Sequence, residues 1–245
     1  MSVRLLINGS RGRMGEMLIA CSKENPGLAI GAAVDVGDDF AAGLAKSDAV
    51  IDFSHHSTCE AVLAGCVAGK KTLVIGTTGH SDAQVAAICA AAKEIPIVFS
   101  GNYSTGVNVL YWLARKTAEI LGPDFDIEII EAHHRLKKDA PSGTAKNLAA
   151  ILTTVRGLEY GKDVLHGRHG DVGARTKTEI GMHSIRGGDV VGDHTVLFAS
   201  PGERVEITHK ASSREIFARG ALRAALWAHG KPAGLYTMQD VLGLK

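Results

Sequence analysis

A chain of 245 residues, 45% of them hydrophobic, is long enough to bury a substantial core in one large domain or two moderate ones. Its 27 basic and 26 acidic side chains leave a net charge of +1, too weak a field to attract a polyanion, which argues against nucleic acid or an anionic membrane surface and for small-molecule chemistry. No apolar run reaches the length of a membrane span, and polar residues enter the N-terminus too early for a signal peptide's apolar segment, so the expected location is the cytoplasm.

The first strand is expected at Val3 to Asn8. It runs straight into GSRGRMG (9–15) and then a helical pattern through Glu24. Strand, glycine turn and helix in that order make a dinucleotide-binding unit, in which backbone N–H groups at the helix start meet a pyrophosphate. Here the glycines are spaced G-x-x-G-x-x-G, with Ser10 and Arg11 between the first two. A second strand, Leu28 to Val34, ends at Asp35, about twenty residues after the last glycine, where such folds place a carboxylate for the adenosine ribose hydroxyls. Asp35 would repel a 2′-phosphate and Val36 supplies no compensating charge, which favours NADH. Arg11, and His55 if protonated, could reach a 2′-phosphate, so NADPH is expected to be accepted as well.

The alternation continues with strands at 49–54, 72–79 and 95–104 and helices at 57–68 and 81–93, which implies a parallel sheet. The strand ends Asp52-Phe53-Ser54-His55-His56, Gly76-Thr77-Thr78-Gly79 and Ser100-Gly101-Asn102-Tyr103-Ser104 would line the dinucleotide cleft. Tyr103 would either cover a nicotinamide ring or plug the core. Cys21, Cys59, Cys66 and Cys89 lie on helix-like segments without a C-x-x-C pair, so free thiols are expected, with no disulfide framework and no metal site.

An amphipathic helix at 104–121 follows, with Ser104 as a possible N-cap. After Gly122-Pro123 the character changes. DIEIIEAHHRLKKDAPSGTAK (126–146) opens as a strand over Ile127 to Ala132 and closes at the start of a helix over Gly143 to Val155. Further strands are expected at 176–188, 189–200 and 203–211, joined by turns such as Arg186-Gly-Gly-Asp, in a largely antiparallel sheet with one wet face suited to subunit packing. A helix from Arg214 to His229, with small residues on one stripe, and a short amphipathic tail would rejoin the first domain. The fold class is therefore α/β: a Rossmann-like parallel sheet domain (1–104 and 214–245) plus an inserted α+β domain with a mostly antiparallel or mixed sheet (105–213).

The 126–146 segment holds the parts a nicotinamide-dependent reduction needs. Histidine is a proton donor near neutral pH, Lys137 can pair with a carboxylate, and Ser142, Gly143 and Thr144 offer hydroxyl and helix-start N–H groups to an anion. Along an extended strand His133 and His134 point to opposite sides, so one of them would be the acid and the other would orient substrate or loop. Asp139, ahead of Ala140-Pro141, reads as a turn or N-cap group, and Lys138 as solvated.

Taken together, the motifs Glu131-Ala-His-His-Arg, Lys137, Asp139-Ala-Pro-Ser-Gly-Thr-Ala, Gly9-Ser-Arg-Gly-Arg-Met-Gly, Gly76-Thr-Thr-Gly, Asn102-Tyr-Ser-Thr-Gly-Val-Asn-Val, Gly188-Asp-Val-Val-Gly-Asp-His-Thr and His209-Lys-Ala-Ser-Ser-Arg resemble, in order, those of the 4-hydroxy-tetrahydrodipicolinate (dihydrodipicolinate) reductases of lysine and diaminopimelate biosynthesis. The resemblance covers nearly the whole chain. It implies a two-domain enzyme, usually a homotetramer assembled through the second domain's sheets, that uses NADH or NADPH to reduce a cyclic dicarboxylate imine to tetrahydrodipicolinate. It also implies that His133 protonates a ring carbon and that Lys137 supports proton donation and holds a carboxylate. His134, Ser142, Gly143 and Thr144 would bind substrate. Gly9, Ser10, Arg11, Gly12, Arg13, Met14, Asp35, Gly76, Thr77, Thr78, Ser100, Gly101, Asn102 and Tyr103 would bind cofactor. Leu136 stands where some members carry a third histidine, and Val36 where some carry arginine. Another two-domain nicotinamide oxidoreductase, or a dinucleotide-binding redox sensor without turnover, are the rival readings.

Overall fold

The computed structural model describes residues 2–244. In chain order it contains β1 (Val3–Asn8), α1 (Arg13–Ser22), β2 (Leu28–Val34), α2 (Phe40–Ala45), β3 (Ala49–Asp52), α3 (Cys59–Ala68), β4 (Thr72–Ile75), α4 (Asp82–Ala91), β5 (Pro96–Phe99) and α5 (Thr105–Leu121). There follow β6 (Asp126–His133), α6 (Gly143–Arg156), α7 (Tyr160–Asp163), β7 (Val164–His166), β8 (Ile180–Arg186), β9 (Gly192–Ser200), β10 (Glu203–Ala211), α8 (Glu215–Ala228), β11 (Gly234–Tyr236) and α9 (Met238–Leu242). The chain divides into two compact units, one running to Thr105 and resuming at Glu215, the other Gly106–Arg214.

The first unit is built on a six-stranded parallel sheet in the order β11-β5-β4-β3-β1-β2. Its central strands β3 and β4 are buried at every position, as strands covered on both faces must be. On one face Leu5, Ile7, Ile51, Val74 and Val98 pack with α1, α8 and α9, and on the other Leu6, Val50, Leu73 and Ile97 pack with α2, α3 and α4. Small residues on α8 allow close docking: Gly220 sits so near the Tyr103 carbonyl that a Cβ there would lie 1.7 Å from its oxygen. A capping box at Ser81 and Gln84 fixes the start of α4.

The second unit has a five-stranded sheet in the order β10-β9-β6-β8-β7. β9 pairs antiparallel with both β10 and β6, whereas β8 runs parallel to β6 and to β7, so the sheet is mixed. The Arg186 to Asp189 turn does not join neighbours as a hairpin would, because β6 lies between β8 and β9. Alternate residues of β6, Ile127, Ile129, Glu131 and His133, are buried on one face, where Ile127 and Ile129 meet Leu110 and Ala114 of α5 and Leu148 and Leu152 of α6. β6 carries this face one residue beyond the expected strand, so its last residue is His133.

Candidate functional site

In the first unit the glycine turn is sterically fixed. Gly9 has φ +81, and a Cβ at Gly15 would stand 2.2 Å from the Gly9 carbonyl oxygen. Gly12 is the N-cap of α1 and brings no side chain to its first-turn N–H groups, which leaves them open to an anion. The turn borders a cavity of about 800 Å³, lined among others by Gly9, Gly12, Asp35, Asp38, Phe53 and His55. A glycine-walled cavity next to an uncapped helix start and a carboxylate has the shape and chemistry that the adenosine half of a dinucleotide requires.

Asp35 accepts hydrogen bonds from the Arg11 and Val36 backbone N–H groups at 2.7 and 2.8 Å, which hold its carboxyl below the usual range. The Arg11 guanidinium lies against both Asp38 oxygens at 2.8 and 2.9 Å and also donates to the Val36 carbonyl. Asp38 was not among the residues expected here. Ser10 is buried, Arg13 exposed and Met14 half-buried. The His55 Nδ1 caps its own turn by accepting from the Ser57 N–H.

Gly76 to Thr78 and Ser100 to Tyr103 lie at the ends of β4 and β5, outside the lining of that cavity. Thr77 is committed to the fold: its hydroxyl donates to the buried Asp52 carboxylate, which also accepts from Asn8 and Ser54. Thr78 and Gly101 are exposed. The Ser100 hydroxyl donates to the Asn102 carbonyl, and the Asn102 side chain accepts from the Ser104 N–H. Tyr103 is the core plug of its two alternatives. Tyr103 is 2% exposed and its hydroxyl donates to the Ile75 and Val98 carbonyls.

In the second unit the site gathers at the carboxyl end of β6. Glu131 is completely buried, and its carboxylate meets His133 Nδ1 at 2.6 Å, both terminal nitrogens of Arg186 at 2.7 and 2.8 Å, and the Ser142 N–H at 3.2 Å. Burial pushes the Glu131 carboxyl up, but hydrogen bonds from Arg186, His133 and Ser184 outweigh it and hold the group at about 2. For His133, burial lowers the pKa and the Glu131 carboxylate raises it, with a net value below the ordinary one.

Across the sheet, Gly192 leaves room for the His133 ring; a Cβ there would be 3.0 Å from Nε2. The His194 ring stands edge-on to it, with centroids 5.1 Å apart. The Ser142 hydroxyl accepts from the Ala145 N–H and shares a hydrogen bond with His194 Nε2 at 2.9 Å, while Nδ1 of His194 has no partner among the described residues. Burial, with the nearby His133, pushes His194 down to about 3, so it is neutral.

Ser142 rather than Asp139 is the N-cap of α6. Asp139 instead accepts from the Lys137 ammonium at 2.8 Å, and its carbonyl accepts from Arg186. Lys137 and His134 are half-buried, Gly143 is exposed with open space where a side chain would be, and the Thr144 hydroxyl bonds with Tyr111. His133, Lys137, Ser142 and Gly143 thus share one loop with Glu131 beneath it. Glu131, Arg186, Gly192 and His194 were missed as site residues. Glu131 carried a signal, since it sits on the same strand face as Ile127, Ile129 and His133, where a carboxylate needs a partner. Arg186 carried none, because strand register alone brings it beside His133.

The family description "Dihydrodipicolinate reductase, N-terminus" matches residues 3–103, and "Dihydrodipicolinate reductase, C-terminus" matches 106–242. The 4-hydroxy-tetrahydrodipicolinate reductase of Akkermansia muciniphila is 56% identical, the match covering 99% of this chain and 98% of the relative. That of Hahella chejuensis is 46% identical over 99% of each. In fold, the chain resembles a dipicolinate-bound dihydrodipicolinate reductase from Paenisporosarcina sp. TG-14, with TM-score 0.81 and 24% identity over 98% of this chain and 99% of that one. Family descriptions that together span both units, and relatives of this identity from end to end, mean that the chain belongs to the dihydrodipicolinate reductase family.

Proposed function

We propose that the chain reduces 4-hydroxy-tetrahydrodipicolinate to tetrahydrodipicolinate in lysine and diaminopimelate biosynthesis, with His133 as the proton donor. The observation that carries this reading is the loop after β6, where a buried imidazole, an ammonium and an open helix start converge on a chain of this family. Loss of water takes the ring hydroxyl together with a hydrogen of the neighbouring carbon; the reduction then adds one hydride to the carbon that carried the hydroxyl and one proton to that neighbour, so each turnover consumes one hydride and one proton. A reduced nicotinamide supplies the hydride when bound.

The remaining work falls to residues of the second unit. Lys137, whose partner Asp139 is exposed and exchangeable, pairs with one substrate carboxylate. The first-turn N–H groups of Gly143 and Thr144 receive the other at the positive end of α6. Protonated at Nε2, His133 delivers its proton to the ring carbon that holds the electron pair after hydride addition and becomes the neutral imidazole. His134 orients substrate or loop.

For the cofactor, the first unit's glycine turn, Gly9 to Met14, would hold the pyrophosphate, and Asp35 the ribose hydroxyls. Gly76 to Thr78 and the backbone of Ser100 to Tyr103 would attend the nicotinamide half. We infer a preference for NADH with NADPH also accepted, because the cation that would greet a 2′-phosphate, Arg11, is already paired with Asp38 beside a second carboxylate, Asp35. A homotetramer formed through the second unit's sheet is supported by exposed apolar residues at its margin, Leu165 and Ile185. Among the described residues no helix is long and apolar enough to cross a membrane, and free cysteines fit a cytoplasmic setting.

The test is a coupled assay that generates the substrate enzymatically and follows nicotinamide absorbance with each cofactor. Oxidation dependent on substrate supports the reading; no oxidation with either cofactor would favour a dinucleotide-binding sensor.

A further inference from the structure

A carboxylate with no solvent exposure does not survive by chance inside a site meant to bind anions. Besides Ser184 of β8, three residues donate to Glu131: His133, Arg186 through both terminal nitrogens, and Ser142 through its N–H. Each belongs to a different part of the site. His133 is the proposed acid, Ser142 is the N-cap of α6, and Arg186 reaches on to the Asp139 carbonyl in the loop between them.

We propose that Glu131, clamped by Arg186, is the positioning residue of this site: it holds His133 with Nδ1–H directed at the carboxylate and Nε2 turned toward Gly192 as the proton-donating atom. The role rests on the reading of His133 as the acid. The imidazole has two nitrogens, and the hydrogen bond made by one determines which is left for chemistry. Glu131 Oε2 at 2.6 Å from Nδ1 is a charge-assisted contact, and the Arg186 guanidinium keeps that oxygen an acceptor by holding the carboxylate ionised. The other groups around His133 agree with this orientation. Gly192 provides the space for Nε2, while His194 faces the ring edge and is itself neutral.

Proton bookkeeping is then simple. As imidazolium, His133 carries Nδ1–H bound to Glu131 and Nε2–H toward the substrate. When Nε2–H breaks, its electron pair stays on the nitrogen and the proton forms the new C–H bond. The product is the Nδ1–H tautomer, still hydrogen-bonded to a carboxylate that never takes the proton. Through Ser142 the same carboxylate also sets where α6 begins, so acid and anion grip share one anchor.

The first test needs no variant of Glu131. With ring-labelled histidine in the intact protein, and His133→Asn to assign the signal, nitrogen NMR above the His133 pKa should show the Nδ1–H tautomer. An Nε2–H tautomer would overturn the proposal. The second uses the isosteric Glu131→Gln, which removes charge but keeps size. The pH above which turnover falls, as His133 loses its proton, should drop by about one unit or more, because a charged acceptor favours imidazolium and a neutral amide does not. A uniform loss of turnover with an unmoved pH profile would mean that Glu131 is only structural. Normal turnover in His133→Asn would instead defeat the reading of His133 as the acid, and the tautomer result would stand apart from it.

Discussion

Cofactor choice offers a perturbation whose size can be worked from distances. Arg11 meets Asp38 through two oxygens at 2.8 and 2.9 Å, and the two side chains are 64% and 34% exposed. An ion pair this exposed is worth about 1 kcal/mol, which is about a fivefold factor. Asp38→Ala frees the guanidinium for a 2′-phosphate and removes one of two carboxylates that would repel it. The ratio of kcat/KM for NADPH over NADH is therefore expected to rise about five- to tenfold. It should not invert, since Asp35, fixed by the Arg11 and Val36 N–H groups, remains. Dissociation constants for both nicotinamides, read by fluorescence without substrate, would show the same change. Adding Arg11→Ala to Asp38→Ala should remove the part of the gain that the freed guanidinium supplies. An unchanged ratio in Asp38→Ala would refute the idea that Arg11 is masked, and a wild-type preference for NADPH would refute the charge argument itself.

Other consequences concern the second unit. His194, buried and held neutral down to about pH 3, takes up its proton far later in the folded chain than the ordinary imidazole does in the unfolded one. Its folded pKa is depressed, so its contribution is present above about pH 6.5 and is lost as pH falls from there toward 3, at about 1.4 kcal/mol per pH unit. His194→Gln should flatten unfolding free energy against pH between about 6.5 and 5 by that slope, measured by denaturant titration; an unaltered slope would contradict the placement. Gly192→Ala puts a Cβ 3.0 Å from His133 Nε2 and displaces the ring. Turnover is expected to fall about tenfold to a hundredfold with NADH affinity unchanged, which stopped-flow turnover and fluorescence binding would check.

Much of this architecture was legible because its signals are local. The glycine turn, β1, β2 and β10 stand where hydrophobic pattern and turn residues put them. Ser142 and the left-handed Gly157 bound α6 as caps should. What escaped depends on non-local contacts. α2, six residues of FAAGLA, is too short to announce itself by periodicity and rests on its Asp39 cap and on packing of Leu44 and Phe40. α7 and β7 are shorter still. The insertion of β6 between β8 and β9 is invisible in turn lengths, and it alone carries Arg186 to Glu131 across a separation of 55 residues. Asp38 was overlooked for the same reason: its meaning comes from Arg11, 27 residues earlier.

We infer that the loop after β6 delivers the proton and grips the substrate while residues of the first unit hold the cofactor. This division of labour is tested most directly by single-turnover nicotinamide oxidation in the wild type, His133→Ala and Lys137→Ala, with enzymatically generated substrate, alongside NADH dissociation constants. Each substitution is predicted to slow turnover by about 10²- to 10⁴-fold with NADH affinity nearly intact. Near-normal turnover in both variants would contradict the account.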